Sequence, residues 1–308
     1  MSNRNERPRL CFDTVFKNLF IYNSDILEKM INDITSSNDY QIDNIVPGYE
    51  VEPYRYKGKT NKSDMLIKVN DNNYINIEVN YHHEKSVLYR NNLQLYRIFA
   101  QLIDAGMEDV DIAKYKICQL NFNTFRNENK KEIEKGIYVD EITGSKLNDM
   151  ATIWNLDIAR CYNILYNKNI KNLPKWVRWG ALLYTELGNI EEIEKIIGGD
   201  LLTMEQKDKF MTRVKDINDD NRIVQEWMVE ENNRLRELGI KQTAYEEGEE
   251  KGIKKGIKQG IEQGIEQGIE TNQKNVILNM LKEKADYSFI SKVTGKSTSY
   301  IKSIARML

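Results

Sequence analysis

Two carboxylates carry the best-placed chemistry in this sequence. Asp64 heads the apolar run Met65-Leu66-Ile67-Lys68-Val69, and Glu78 lies inside Tyr74-Ile75-Asn76-Ile77-Glu78-Val79-Asn80. Between the runs stands Asn70-Asp71-Asn72-Asn73, a turn composition, so the spacing predicts a β-hairpin that folds one carboxylate back towards the other. Asn80, two residues past Glu78, shares its face because side chains alternate along a strand. With the carbonyl of Val79, Asp64 and Glu78 offer hard oxygen ligands suited to Mg²⁺ (or Mn²⁺), and Mg²⁺ keeps several of its waters when bound. Such an ion generates hydroxide and stabilises charge on a phosphodiester oxygen. The competing reading is a pair of solvated surface carboxylates, and spacing does not choose between the two.

Other chemistries have little material. The only two histidines, His82 and His83, are adjacent, and neighbours on a strand point to opposite faces. The three cysteines, Cys11, Cys118 and Cys161, form no CxxC and no metal spacing. Zinc sites and Cys-His or Ser-His catalysis are therefore disfavoured. The 308 residues are 40% apolar and 30% charged, with 45 basic and 47 acidic side chains giving −2, and the mean hydropathy is −0.63. A core can form, but no whole-protein basic field advertises nucleic acid or membrane, so any nucleic-acid site must be local. No run approaches the ~18–20 apolar residues of a membrane span, and the first ten residues lack a signal peptide's apolar segment. The expectation is a cytoplasmic protein with no membrane partner.

The elements that must position these residues follow from periodicity. Val15, Phe16, Leu19 and Phe20, then Ile26, Leu27, Met30, Ile31 and Ile34, predict two helices, the second capped by Ser24 or Asp25. Ile45 to Tyr56 is β-like. Leu88, Leu93, Tyr96, Ile98, Phe99, Leu102 and Ile103 predict a long helix from Val87, ended by Gly106. Tyr115 to Phe122, Ile137-Tyr138-Val139 and Ala151 to Leu156 are further strand candidates. After Arg160 the pattern turns helical, from Leu173 to about Leu238, with Trp176 and Trp179 read as core.

Gly248, Gly252, Gly256, Gly260, Gly264 and Gly268 then recur every four residues, five of them followed by isoleucine: Ile253, Ile257, Ile261, Ile265 and Ile269. Six helical glycines cost about 5–6 kcal/mol relative to alanine. The segment is either a weak helix or linker, or a helix packed against another backbone, which makes a homo-oligomer through this repeat an expected partner. Charges fall in blocks along it, so a staggered self-association matches opposite signs. The last segment, 271–308, holds six lysines and one arginine against Glu283 and Asp286, or +5. Its three short helical patterns, around Thr294-Gly295-Lys296 with Ser297 as a cap, match a helix-turn-helix. Lys296, Ser297, Ser299 and Lys302 would then face DNA. A protein-contact or capping unit is the alternative.

The order of helix, strand, strand with Asp, strand with Glu-x-Asn, then helix is similar to the PD-(D/E)XK nuclease core. The chain more closely resembles the Rpn family of recombination-promoting nucleases and transposase-related proteins. Asp13-Thr14-Val15-Phe16-Lys17-Asn18-Leu19-Phe20 resembles that family's D-x-x-F-K-x-x-F, Ser63-Asp64 its metal-binding aspartate, and Glu78-Val79-Asn80 its E-x-Q. Arg90 and the helix running into Asp104-Ala105-Gly106 fit the segment after it, while Leu173 to Trp179 and the glycine repeat look like the family's downstream region.

The resemblance implies an α/β fold with a mixed sheet flanked by helices and a metal held by Asp64 and Glu78. It implies a water oriented by Asn80, assistance from Asp13, and phosphate or DNA contacts at Lys17 and Arg90. Asp13 reads equally as an N-terminal helix aspartate favoured by the dipole, and Lys17 as an exposed side chain. Two departures stand out. Asn80 replaces the family's glutamine or the superfamily's lysine, and an amide cannot stabilise developing negative charge as lysine would. Ser63 replaces the proline. The expected organisation is a nuclease-like core over 1–160, a helical extension over 161–240, the Gly-Ile repeat over 241–270 and a basic helical unit over 271–308. The expected activity is Mg²⁺-dependent DNA cleavage that promotes recombination. The alternative is a catalytically lapsed DNA-binding or self-assembling protein.

Overall fold

The computed structural model describes residues 7–51, 61–81, 87–104, 106–125, 131–167 and 170–306. His82 and His83, and residues 52–56 of the β-like section, lie outside them. Contacts divide the chain into two units, 1–230 and 231–308.

The first unit opens with helices α1 (Asp13–Ile21) and α2 (Ser24–Thr35), whose Val15, Phe16, Leu19, Phe20, Ile26, Leu27, Met30 and Ile31 are fully buried. Neither Ser24 nor Asp25 caps α2. Asn23 is the N-cap residue, and its amide donates instead to the Leu19 carbonyl at 2.6 Å. Strands β1 (Ile42–Pro47), β2 (Glu50–Val51), β3 (Asn61–Lys62), β4 (Met65–Val69) and β5 (Asn73–Asn80) follow. The β4–β5 hairpin turns through Asn70 (φ 45°) and Asp71 (φ 57°), both left-handed, a conformation these short polar side chains tolerate. After β5 come α3 (Val87–Gln101), α4 (Asp109–Ile112), β6 (Lys116–Asn123), β7 (Ile133–Gly136) and β8 (Ala151–Asp157). The strand candidate at 137–139 is displaced. The pairing segment is Ile133–Gly136 on β8, while Val139 makes only an isolated bridge to Lys146.

Six strands form one mixed sheet in the order β1-β4-β5-β6-β8-β7, with β5, β6 and β8 mutually parallel and the rest antiparallel. One face, with Met65, Ile67, Ile75, Ile77, Leu120 and Phe122, packs into a large core with α1 and α2. That core also takes in α5 (Ile158–Asn167), α6 (Lys175–Tyr184), α7 (Ile190–Ile197) and α8 (Met204–Asp219), so residues on both sides of position 160 share it. Trp179 is fully buried and its indole N–H donates to Asp33 Oδ2 at 2.8 Å, tying α6 to α2. The opposite face carries α3 over a smaller cluster of Leu66, Leu95, Ile98 and Ile117.

Helix α3 differs from its apolar pattern. Leu93 and Tyr96 are exposed, whereas Asn91 and Gln94 are buried against the sheet. The sheet face beneath is itself polar, so the helix turns amides towards it.

Helix α9 (Asn221–Lys282) starts in the first unit and continues into the second. Every residue from 241 to 270 is exposed, and the Gly-Ile repeat is helical throughout. The end of α9 then packs with α10 (Tyr287–Thr294) and α11 (Thr298–Ala305) around Ile277, Ile290, Ile301 and Ile304. Gly295 (φ 68°) makes the turn, and Ser297 accepts from the Tyr300 N–H as N-cap. Met307 lies outside the described residues. No described helix is long and apolar enough to cross a membrane.

Candidate functional site

Met65 pairs with Ile77 across β4 and β5, so one step further along the ladder sets Asp64 against Glu78. The hairpin therefore brings the two carboxylates together at the end where β4 begins. Each is held by the other's strand. Asp64 Oδ2 accepts from the Val79 N–H at 2.6 Å, and the Asp64 backbone hydrogen-bonds the Glu78 carboxylate. A strand residue's N–H and C=O point to the same edge, so the Val79 carbonyl lies on the Asp64 side.

Glu78 is buried and sits in a layer of amides. Its Oε1 accepts from Gln94 Nε2 on α3 at 2.6 Å and from Asn76 Nδ2 at 3.1 Å. Asn76 also donates to Gln119 Oε1 at 2.8 Å, Gln119 to Asn121 Oδ1 at 2.9 Å, and Asn121 to Asn155 Oδ1 at 2.9 Å. Asn91 of α3 donates to Asn121 Oδ1 at 3.0 Å, and the Ser63 hydroxyl donates to Asn76 Oδ1. Asn80 is buried and used at both ends. Its Nδ2 donates to Asn123 Oδ1 at 2.9 Å, and its Oδ1 accepts from Arg90 Nη2 at 3.0 Å.

The electrostatics are those of two confined like charges. Burial, then the neighbouring Asp64 charge, pushes the Glu78 carboxyl up, against the hydrogen bonds that favour its ionised form. Burial also pushes Asp64 up. The Val79 N–H, Lys17 and Arg90 pull it back, and Asp13 pushes it further. Asp13, Lys17 and Arg90 are thus within electrostatic reach of Asp64. Asp13 itself is tied to Lys17, whose Nζ lies 2.7 Å away one helical turn on.

Asp64, Glu78, the Val79 edge, Asn80, Asp13, Lys17 and Arg90 accordingly converge on one end of the sheet. Among the described residues no group of three or more His, Cys, Asp or Glu is assembled, so the oxygen donors here are two carboxylates and a backbone carbonyl. That set fits a dication that completes its shell with water, since Mg²⁺ takes one or two carboxylates in most protein sites. Lys296, Ser297 and Lys302 belong to the second unit. There Lys296 lies over the Tyr300 ring, Nζ 5.7 Å from its centroid, Ser297 is spent as the cap of α11, and Lys302 sits in that helix's last turn.

Ser63, Asn76, Gln94, Gln119, Asn121 and Asn123 are the site's partners that pattern reading missed. The available signal was amides at alternate positions of two otherwise apolar strands, 76 and 80 on β5 and 119, 121 and 123 on β6. Compared with known protein families, curated proteins and solved structures, the chain matches none.

Proposed function

We propose that this chain is a Mg²⁺-dependent DNA endonuclease of the PD-(D/E)XK type, hydrolysing phosphodiester bonds at the Asp64–Glu78 hairpin and so promoting recombination. The observation that carries the reading is the pair itself: two carboxylates opposite each other at a strand end, both driven towards protonation by burial and proximity, with Lys17 and Arg90 beside them. Strongly perturbed carboxylates with a stated physical cause are the mark of a functional site more often than of a passive surface.

Asp64, Glu78 and the Val79 carbonyl would hold Mg²⁺, which when bound supplies a water made more acidic than bulk water and a positive charge at the phosphodiester oxygen. The chain's own groups do the positioning. The Val79 N–H fixes the Asp64 carboxylate, and Gln94 with Asn76 fixes that of Glu78. Lys17 and Arg90 supply the charge that would draw a phosphate to this end of the sheet.

A second reading rests on Asn80. Its amide is bonded at both ends by protein partners, Asn123 and Arg90, which favours a lapsed nuclease core whose DNA contacts reside at Lys296 and Lys302.

Nicking of supercoiled plasmid in Mg²⁺ separates the readings. The endonuclease reading expects cleavage by wild type, loss in Asp64→Ala, and DNA binding retained in both. Cleavage appearing only in Asn80→Gln places the block at that one residue. If all three folded proteins are silent, the endonuclease reading fails. Binding that loses about one unit of salt slope for each of Lys296 and Lys302 removed then supports the second.

A further inference from the structure

Helix α3 carries a polar stripe that continues past the carboxylate pair. Arg90, Gln94, Arg97 and Gln101 stand four, three and four residues apart, the spacing of one helix face. Arg90 bonds Asn80 at 3.0 Å, and Gln94 bonds Glu78, two residues earlier in β5, at 2.6 Å, so the helix runs back along that strand. Arg97 and Gln101 extend the stripe in the same direction, about one and two turns beyond Gln94.

Both carry an orphaned group. Arg97 is partly buried, yet among the described residues it makes no hydrogen bond or ion pair, and its Nε lies out of water without an acceptor. Gln101 Oε1 is likewise buried without a donor. Arg178 of α6 shows the contrast, a buried guanidinium met by the Ile196 carbonyl and by Asp200. The Arg97 guanidinium is desolvated with no counter-charge, and nothing fixes it where it lies.

The two orphans are complementary. Side chains four apart on a helix are neighbours, and Arg97 offers an N–H where Gln101 offers an oxygen. An anion that draws the two Nη groups outward would leave Nε–H to Gln101 Oε1, satisfying both at once. The planar fork of arginine suits phosphate, which it grips through paired N–H donors. Arg97 stands about 10.5 Å from Arg90 along the helix axis, or about three nucleotide steps of a DNA strand. Arg90 is within electrostatic reach of Asp64, so a strand lying along α3 from the carboxylate pair reaches Arg97.

We infer that Arg97, backed by Gln101, holds a phosphate of the DNA backbone about three nucleotides along from the one drawn to Arg90. The identity of the ligand rests on the endonuclease reading, whereas the uncompensated guanidinium does not.

Fluorescence anisotropy of a labelled DNA duplex with the full chain, in chelator so that nothing is cut, tests this. Arg97→Gln is expected to make the plot of log affinity against log salt shallower by about one unit. Arg97→Lys should keep the slope and lose about threefold in affinity, because lysine has no second donor to give Gln101. Gln101→Leu should lose a similar factor with the slope unchanged, and add nothing to Arg97→Gln, since it acts through that arginine. Arg222→Gln, at a side chain 89% exposed, controls for bulk charge and should leave the slope alone. Urea unfolding should place Arg97→Gln at or above wild type, because no bond is lost. An unchanged slope in Arg97→Gln, an equal loss in Arg222→Gln, a slope loss matched by a fall in urea midpoint, or a wild type that binds no DNA would each overturn the inference. Plasmid nicking in Mg²⁺ keeps the two readings apart. A wild type that cuts while Arg97→Gln keeps its slope removes only the Arg97 contact. A slope loss at Arg97 in a chain that never cuts upholds the contact and removes only the endonuclease.

Discussion

Replacing Glu78 by glutamine should stabilise the first unit in alkaline solution and do nearly nothing in acid. Glu78 is 7% exposed, and burial with the Asp64 charge moves it from an ordinary 4.5 up to about 8. Its folded-state affinity for a proton exceeds that of the unfolded chain. Its contribution to stability is therefore complete below about pH 4.5 and is lost as pH rises through about 8. That displacement, discounted because part of it is shared with Asp64, corresponds to a loss on the order of 2–4 kcal/mol between about pH 5 and about pH 8.5. For a unit of this size that is roughly 5–10 °C in melting temperature. The substituted glutamine keeps an oxygen to accept from Gln94 and Asn76 and removes the charge facing Asp64. The assay is urea unfolding in chelator, followed by tryptophan fluorescence. All four tryptophans, Trp154, Trp176, Trp179 and Trp227, fall within 1–230, so the signal reads that unit alone. The difference between the variant and wild type should be small at about pH 5 and grow with pH. Added Mg²⁺ should raise wild type at about pH 8 more than the variant. Parallel profiles for the two proteins across that range would refute the claim that these carboxylates are confined and repelling.

Two further stability predictions follow from single contacts. Arg178 is 4% exposed and donates to the carbonyls of Ile196, at 2.8 and 3.2 Å, and of Gly198, and to Asp200 at 2.6 Å. Arg178→Met should cost about 3–5 kcal/mol by stranding buried carbonyls at the end of α7, while Asp200→Asn, at a position 72% exposed, should cost under about 1 kcal/mol by urea midpoint. Gly180→Ala would normally favour helix α6 by about 1 kcal/mol, but its Cβ would lie 2.7 Å from Cys161 Sγ and 2.8 Å from Cys161 Cβ, so a net loss of about 1–3 kcal/mol is expected in the same assay.

What the sequence made legible was what depends on local chemistry. The Asn70-Asp71 turn, the two flanking strands and the opposition of Asp64 to Glu78 all follow from residues next to one another in the chain, as does the cap at Ser297. The errors lie where a tertiary partner decides. The cap of α2 moved to Asn23, whose amide already has a buried carbonyl to bond. The strand beside β8 moved from 137–139 to Ile133–Gly136 because register against Ile153 to Leu156 selects the pairing stretch. The polarity of α3 was misread because its face is chosen by the sheet below, and that sheet presents amides.

The amide layer also explains why Glu78 is raised despite the hydrogen bonds it accepts. Parallel pairing sets Asn76 beside Gln119, Glu78 beside Asn121 and Asn80 beside Asn123, so these three polar residues of β5 each meet an amide of β6. An amide both donates and accepts, and a row of them can satisfy itself without water or net charge. Such a row holds a carboxylate in one orientation, but its amides carry no positive charge to balance it. A lysine in place of Asn80 would have brought that charge to Glu78's own face, whereas Asn80 instead ties Arg90 to the row. The layer therefore fixes Glu78 while leaving its charge uncompensated against that of Asp64. On the proposed reading, a bound cation would relieve the repulsion between Glu78 and Asp64, which Lys17 and Arg90 offset at Asp64.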